Sequence, residues 1–310
     1  MIPASQSTSR RLAWAILARA ALTAAPVARE LLRTLEVEEA AHRLTTGRDA
    51  AADLPRDLQG LAARDLDRAD ALGVRLLTRD DAEWPGNAGL SDLDAPGISG
   101  GSPVALWVRG TPRLIPLSRF TVAVVGARAA SNYGVRVTHD LAGDLAERGW
   151  TVISGAAFGI DAAAHRAALN RGGRTIAVVA TGLGRVYPAA HRELFDRIAE
   201  AGLLISEYPP DTPAAKHRFL QRNRLVAALS SAVVIPECVF RGGTRNTANW
   251  ARQLNRPVLA VPGPIYSAAS TGCHELIRAG HARLVTDAQQ VIADITSSPA
   301  PPHEGDRPIA

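Results

Sequence analysis

TVAVVGARAASNYGVRVTHDLAGDLAERG, running from Thr121 to Gly149, decides the fold class. Thr121–Val125 is a short β-branched run of the kind that fills a parallel strand buried on both faces. Gly126 ends it, and an amphipathic stretch follows that Ser131 or Asn132 is placed to cap. A strand feeding a helix through a glycine turn aims backbone N–H groups and the positive end of a helix dipole at one point, which suits an anion. The turn reads Gly126-Ala127-Arg128, however, so an arginine stands where a dinucleotide fingerprint has its second glycine, and no G-K-[ST] follows. The turn is therefore expected to hold a phosphate, and by itself it leaves open whose phosphate that is.

The same alternation extends on both sides. Strands are predicted at 73–77, 104–109, 121–125, 151–154, 175–180, 203–206, 232–235, 258–261 and 282–285. Helices are predicted at 132–148, 160–171, 189–201, 217–229, 244–255 and 271–279. Strand–helix alternation implies an α/β fold: a Rossmann-like, doubly wound, mainly parallel sheet whose ligands sit outside the carboxyl ends of the strands. Residues 10–80 carry apolar residues at helical spacing. Residues 1–84 thus read as a small helical N-terminal module (SAM or helix-hairpin-helix-like), 85–103 as a Gly/Pro/Ser/Asp-rich linker, 104–296 as the Rossmann-like domain, and 297–310 as a Pro-rich disordered tail.

Composition narrows the partner. The 310 residues carry 46% hydrophobic and 21% charged side chains, ordinary for a globular protein. Cys238 and Cys273 are too few for a disulfide framework or a zinc site and read as small buried side chains. No uninterrupted apolar run reaches the ~20 residues of a membrane helix, and Arg19 splits the apolar stretch Leu12–Ala25. The expectation is a cytoplasmic protein with no membrane partner. Net charge is +5, but Lys216–Arg256 holds eight basic residues against Glu237 alone, so that window nets +7 and the rest of the chain −2. A basic field on a nearly neutral body points to a polyanion.

Chemistry-bearing residues fall at the strand ends. Ser154, Gly155 and Gly159 follow the 151–154 strand, with Ser154 placed to bond a phosphate and the glycines permitting close approach. Asp161 and His165 share a helix face, either as an acid–base pair or, preferred here, as a capping acid and a packed histidine. Lys216, the chain's only lysine, Phe219, Arg222 and Arg224 combine cations with an aromatic, the pattern that holds single-stranded nucleic acid by phosphate contacts and base stacking. Gly243 and Thr244, with Arg245 beside them, form another anion-friendly helix entrance. No G-x-S-x-G, H-E-x-x-H or paired-carboxylate motif appears, and no cofactor or metal is expected.

VVGARAASNYG, SGAAFGIDAAAH, GRTIAVVATGLGRVYP, SEYPP, KHRFLQRNRLVAALS, RGGTRNTANWA, RPVLAVPGPI and STGCHELIRAG occur in the order found in the DNA-processing protein A (DprA/Smf) family, and the chain resembles it over about 121–286, with several motifs worded like those of actinobacterial members. The resemblance implies a homodimeric, non-enzymatic protein that binds single-stranded DNA and helps load a RecA-type recombinase in natural transformation. It places the family's DNA-contacting arginine on Arg128, its lysine on Lys216 and its stacking aromatic on Phe219, with Arg222 and Arg224 in the same motif. Phe158 stands where relatives often carry arginine or tyrosine. The family's S-G-S-L-x-T-A segment is here Gly242–Ala248, and the winged-helix-like domain of many relatives has only a short tail in its place. The alternative is a nucleotide phosphoribohydrolase of the lysine-decarboxylase-like type, whose P-G-G-x-G-T-x-x-E element is matched only in part by Arg241–Thr247.

Overall fold

In the computed structural model, residues 4–47, 54–86, 89–114 and 120–297 are described. Three helices come first: α1 (Ala4–Thr34), α2 (Val37–Thr45) and α3 (Leu58–Ala71). The chain then builds β1 (Val74–Leu77), β2 (Leu106–Arg109), β3 (Thr121–Val124), α4 (Asn132–Glu147), β4 (Thr151–Ser154), α5 (Ile160–Asn170), β5 (Thr175–Val179), α6 (Arg192–Ala201), β6 (Leu203–Ser206), α7 (Lys216–Ala228), β7 (Val233–Ile235), α8 (Gly243–Gln253), β8 (Val258–Ala260), α9 (Thr271–Arg278), β9 (Arg283–Leu284) and α10 (Ala288–Ser297). The predicted strands and helices are all present, with ends shifted by a few residues.

One sheet takes every strand, in the order β1-β2-β6-β5-β4-β3-β7-β8-β9. The pairs β1–β2 and β2–β6 are antiparallel and the rest are parallel. Alternate residues feed opposite faces, as the pleat requires. Ala123, Ile153, Val178 and Ile235 pack with Leu225, Ala248 and Leu276 on one side. Val122, Val124, Val152 and Val234 pack with Leu141, Leu145 and Ile160 on the other. Continuous apolar strands were thus the correct signal for helices on both faces.

The N-terminal helices form their own cluster, in which Trp14, Leu17, Leu31, Val37, Leu44 and Leu58 are buried. Within α1, Ala24 leaves helical geometry (φ −128°, ψ 39°) two residues before Pro26. Pro26 lacks an N–H and crowds the carbonyl four residues back, so the helix breaks there. Against the composition-based expectation, Thr8–Thr34 is long and apolar enough to cross a membrane by length and composition alone, yet half of its most apolar window is buried within the protein. Arg19 pairs with both oxygens of Asp65 on α3, and Arg10 and Trp14 bond Asp80 just after β1 at 2.7 and 2.6 Å.

The segment expected to be a linker is not a spacer. Leu90 and Leu93 are fully buried among sheet residues, Asp94 takes hydrogen bonds from the Ser102 N–H and hydroxyl at 2.8 and 2.6 Å, and β1 belongs to the same sheet as the rest. Leu93→Ala is expected to lower stability by about 3 kcal/mol, the cost of a core cavity, where a true linker position would lose under about 0.5. A urea midpoint measures the difference. The expected disordered tail lies, beyond Ser297, outside the described residues.

Candidate nucleic-acid interface

From β3 the chain moves outward through β4, β5 and β6, then returns to lay β7 on the other side of β3. The carboxyl ends of β3 and β7 therefore flank the topological switch point, where open α/β sheets hold ligands.

At this point the glycine turn differs from expectation. The Gly126 N–H is directed at the Asp161 carboxylate at 3.4 Å, and the Ala127 N–H donates to the Glu237 carbonyl at 2.8 Å. Ser131 caps α4 by accepting from the Gly134 N–H, while its own N–H and hydroxyl donate to the Glu237 carboxylate at 2.8 and 2.5 Å. Glu237 is buried at the end of β7 and supplies the negative charge at the α4 N-terminus itself. The donors of the predicted phosphate cradle at Gly126 are already taken by the Asp161 carboxylate and the Glu237 carbonyl. What the turn offers outward is the Arg128 side chain, which is exposed.

Five other predicted contacts are likewise engaged within the fold. Ser154 is fully buried, and its hydroxyl donates to the Val124 carbonyl at 2.7 Å, tying β4 to β3. Arg222 is 5% exposed and donates to the Gly155 carbonyl at 2.7 Å and to the Val178 carbonyl. A Cβ on Gly155 would collide with that guanidinium, so this glycine makes room for Arg222, not for a ligand. Arg224, equally buried, forms a bidentate pair with Glu207 at 2.8 and 2.6 Å. Arg256 likewise pairs with Asp92 at 2.6 Å. Three of the eight cations in the basic window are thus committed inside the fold. Gly159 (φ 76°) faces the carbonyls of Ala127 and Arg128, and its missing Cβ lets the two strand-end loops meet, with the Ile160 N–H bonded to the Ala127 carbonyl at 3.1 Å.

Asp161 and His165 are not an acid–base pair. Asp161 receives the Gly126 N–H and, at 3.4 Å, the Ala157 N–H. Burial pushes its carboxyl above the ordinary range, and the Arg222 guanidinium pulls it back. His165 is fully buried with Nδ1 2.7 Å from the Thr175 hydroxyl. That hydroxyl already donates to the Val152 carbonyl, so its oxygen accepts from Nδ1–H, and Nε2 is left unpartnered. Burial first, then His191, Arg222 and Arg166, push His165 down to about 3. An unfolded histidine titrates near 6.5, so below that pH the unfolded chain takes a proton the folded one refuses. The stability due to neutral His165 is complete above about pH 6.5 and is lost as pH falls toward 3, by about 2 kcal/mol at pH 5. His165→Gln should flatten the difference in denaturant midpoint between pH 7.5 and pH 5.

What faces water at the carboxyl edge is a cluster of rings and cations. Arg128 lies over the Phe219 ring at 5.3 Å, and Tyr187 meets the same ring at 5.5 Å. Phe158, half exposed, sits edge-on to His191 at 4.7 Å. Arg128, Gly155, Phe158, Thr181, Tyr187 and Phe219 line one pocket beyond the ends of β4 and β5. Lys216 is exposed at the first position of α7 and has no carboxylate partner among the described residues. Its neighbour Arg218 lies over Tyr208 at 5.4 Å. The sequence reading named Arg128, Phe219 and Lys216 but missed Tyr187 as a site residue and treated Phe158 only as a lost phosphate contact. Tyr187 follows β5, so the strand-end rule alone was enough to find it.

Helices α7 and α8 begin without a side-chain cap or an acid in the first turn, and with cations there instead. Lys216 and Arg218 stand at the start of α7; Arg245 stands near the start of α8, close to exposed Gly243 and half-buried Thr244. A cation at a positive helix end is unfavourable unless an anion joins it. Asn223, one turn beyond Phe219, bonds the Gly243 carbonyl at 3.4 Å and Asn246 at 3.1 Å, tying the middle of α7 to the start of α8. Cys238 and Cys273 are free, buried thiols with sulfurs 3.8 Å apart, in keeping with the reading from composition.

The comparisons with known proteins agree with this architecture. The family model described as DNA recombination-mediator protein A matches residues 75–296. A putative DNA processing protein DprA of Mycobacterium tuberculosis is 46% identical over 292 residues, spanning 90% of this chain and 74% of that protein. The X-ray structure of DNA processing protein A from Streptococcus pneumoniae is similar at 35% identity and a TM-score of 0.66, over 81% of this chain and 86% of the other. The Helicobacter pylori DNA processing protein A, described for its single-stranded DNA binding mode, is similar at 30% identity and a TM-score of 0.61, over 72% and 95%. With the switch-point sheet, the Arg128–Phe219 contact and a family match covering most of its length, this chain belongs to the DprA/Smf family of DNA-processing proteins.

Proposed function

We propose that this chain is a non-catalytic single-stranded DNA-binding protein that covers incoming DNA and helps a RecA-type recombinase assemble on it during natural transformation, acting as a homodimer in the cytoplasm. The observation that carries the reading is the Arg128–Phe219–Tyr187 cluster beside Lys216, which has no carboxylate partner among the described residues; the group pairs a stacking platform with phosphate-neutralising cations. The open N-terminus of α8, with Gly243, Thr244 and Arg245, continues the track across the α7–α8 tie. Asp161 and Glu237, the carboxylates beside the switch point, are buried and bonded to the protein's own donors, which supports binding over acid–base chemistry.

Stacking on aromatic rings and pairing with phosphates read no sequence, so binding should be sequence-tolerant and favour single strands. Three to four neutralised phosphates give a slope of log Kobs against log salt of roughly −2 to −3. Mobility-shift titrations with single- and double-stranded oligonucleotides over a salt series test this. A flat salt response, or equal affinity for the duplex, overturns the groove. The recombinase step is tested by RecA filament formation on DNA coated with single-strand-binding protein, which the chain should accelerate.

A further inference from the structure

Phe240 has no role in the groove described above, yet it repeats the groove's central arrangement. It follows β7, the strand on the far side of the switch point from β4 and β5. Its ring is 45% exposed, as is its neighbour Val239 at 43%. The Arg245 guanidinium lies over the ring at 5.0 Å and donates to the Phe240 carbonyl at 3.1 Å. Arg128 stands over Phe219 in the same manner at 5.3 Å. Resting on the proposed DNA-binding reading, we infer that Phe240, oriented by Arg245, is a second base-stacking station for single-stranded DNA.

Three observations favour a nucleic acid at this ring. The stretch Cys238–Asn255 holds Arg241, Arg245 and Arg252 and no acid, and Arg241 has no ion-pair partner among the described residues. The loop is held at its base, where the Gly272 N–H donates to the Cys238 carbonyl at 2.9 Å and Glu237 is fixed by Ser131. A ring presented on a braced loop loses little freedom when a base stacks on it. Finally, the two stations are mechanically joined. Phe219 is one helical turn, about 5 Å, from Asn223, Asn223 bonds Gly243, and Gly243 lies three residues, at most about 10 Å, from Phe240. One strand can therefore reach both rings, and only if it is more than a few nucleotides long.

Length dependence separates this station from the parent groove, because a second contact on a tethered strand adds affinity only when the strand spans both sites. Fluorescence anisotropy with oligothymidylates of about 3 and about 25 nucleotides brackets the site sizes of roughly 4–16 nucleotides typical of such grooves. Phe240→Ala should weaken the longer oligonucleotide by roughly 5- to 30-fold and leave the shorter one unchanged, with Phe240→Trp restoring the wild-type value. The ring is half exposed, so the unfolding midpoint should stay put. Unchanged affinity for the longer strand overturns the second station, as does an equal loss on both strands, which would move Phe240 into the primary site. A shift in sedimentation of the free protein with DNA affinity intact would make the ring a protein contact and likewise overturn it. Phe219→Ala reports separately on the parent reading: if it binds both lengths normally while Phe240→Ala fails on the longer one, the primary groove is misplaced and the second station stands.

Discussion

Phe219→Ala is expected to weaken single-stranded DNA binding by roughly 5- to 150-fold, the range set by base–aromatic stacking of ~1–3 kcal/mol per base. The ring carries the site because it organises its neighbours as well as contacting DNA: Arg128 and Tyr187 both lean on it. Phe219→Trp should keep most of the affinity. The charged partners act differently. Lys216→Glu removes one phosphate contact and adds one repulsion, so it should reduce the magnitude of the salt slope by about 0.7 or more, as well as lowering affinity at low salt. Phe219→Ala should leave that slope nearly unchanged. Titrations of the two variants at several salt concentrations distinguish stacking from phosphate contact. Loss of affinity in neither variant would put the DNA elsewhere on the molecule.

Arg222→Ala should act through the fold. The guanidinium is buried, satisfies the Gly155 and Val178 carbonyls, and faces the buried Asp161 carboxylate. Removing it leaves a carboxylate without its countercharge, a cost of about 3–5 kcal/mol. The chemical-denaturation midpoint should fall accordingly. The double variant Arg222→Ala/Asp161→Asn should recover part of the loss, because the asparagine carries no charge to strand. Were Arg222→Ala to remain as stable as the parent and lose only DNA affinity, Arg222 would be a surface contact and the buried arrangement would be wrong. A comparison of Arg222→Ala with Lys216→Glu therefore separates the supports of the groove from its contacts.

Most of the architecture was legible in the chain because it is written locally. Runs such as Thr121–Val124 and Thr175–Val179 are β-branched and apolar throughout, and that pattern survives only in strands covered on both faces. Helix starts were equally readable where a side chain caps its own backbone, as Ser131 does. The partners of charges were not legible. Arg222, Arg224 and Lys216 lie within nine residues and look alike in sequence, yet two are buried and one is solvated. The packing of 85–103 was hidden for a related reason: its glycines and prolines outnumber Leu90 and Leu93, but those two leucines fill the core.

By itself, then, the sequence determined the doubly wound sheet, the strand-end edge where a ligand is expected, and the identity of Arg128, Lys216 and Phe219 as candidates. Only the tertiary structure decided which anion-friendly turns are open. At Gly126 and the α4 start, the Asp161 carboxylate, the Glu237 carbonyl and the Glu237 carboxylate occupy the backbone donors, whereas the start of α8 has no such partner among the described residues. Whether a donor is free depends on which distant carboxylate folding brings within hydrogen-bond reach, and no local pattern encodes that distance.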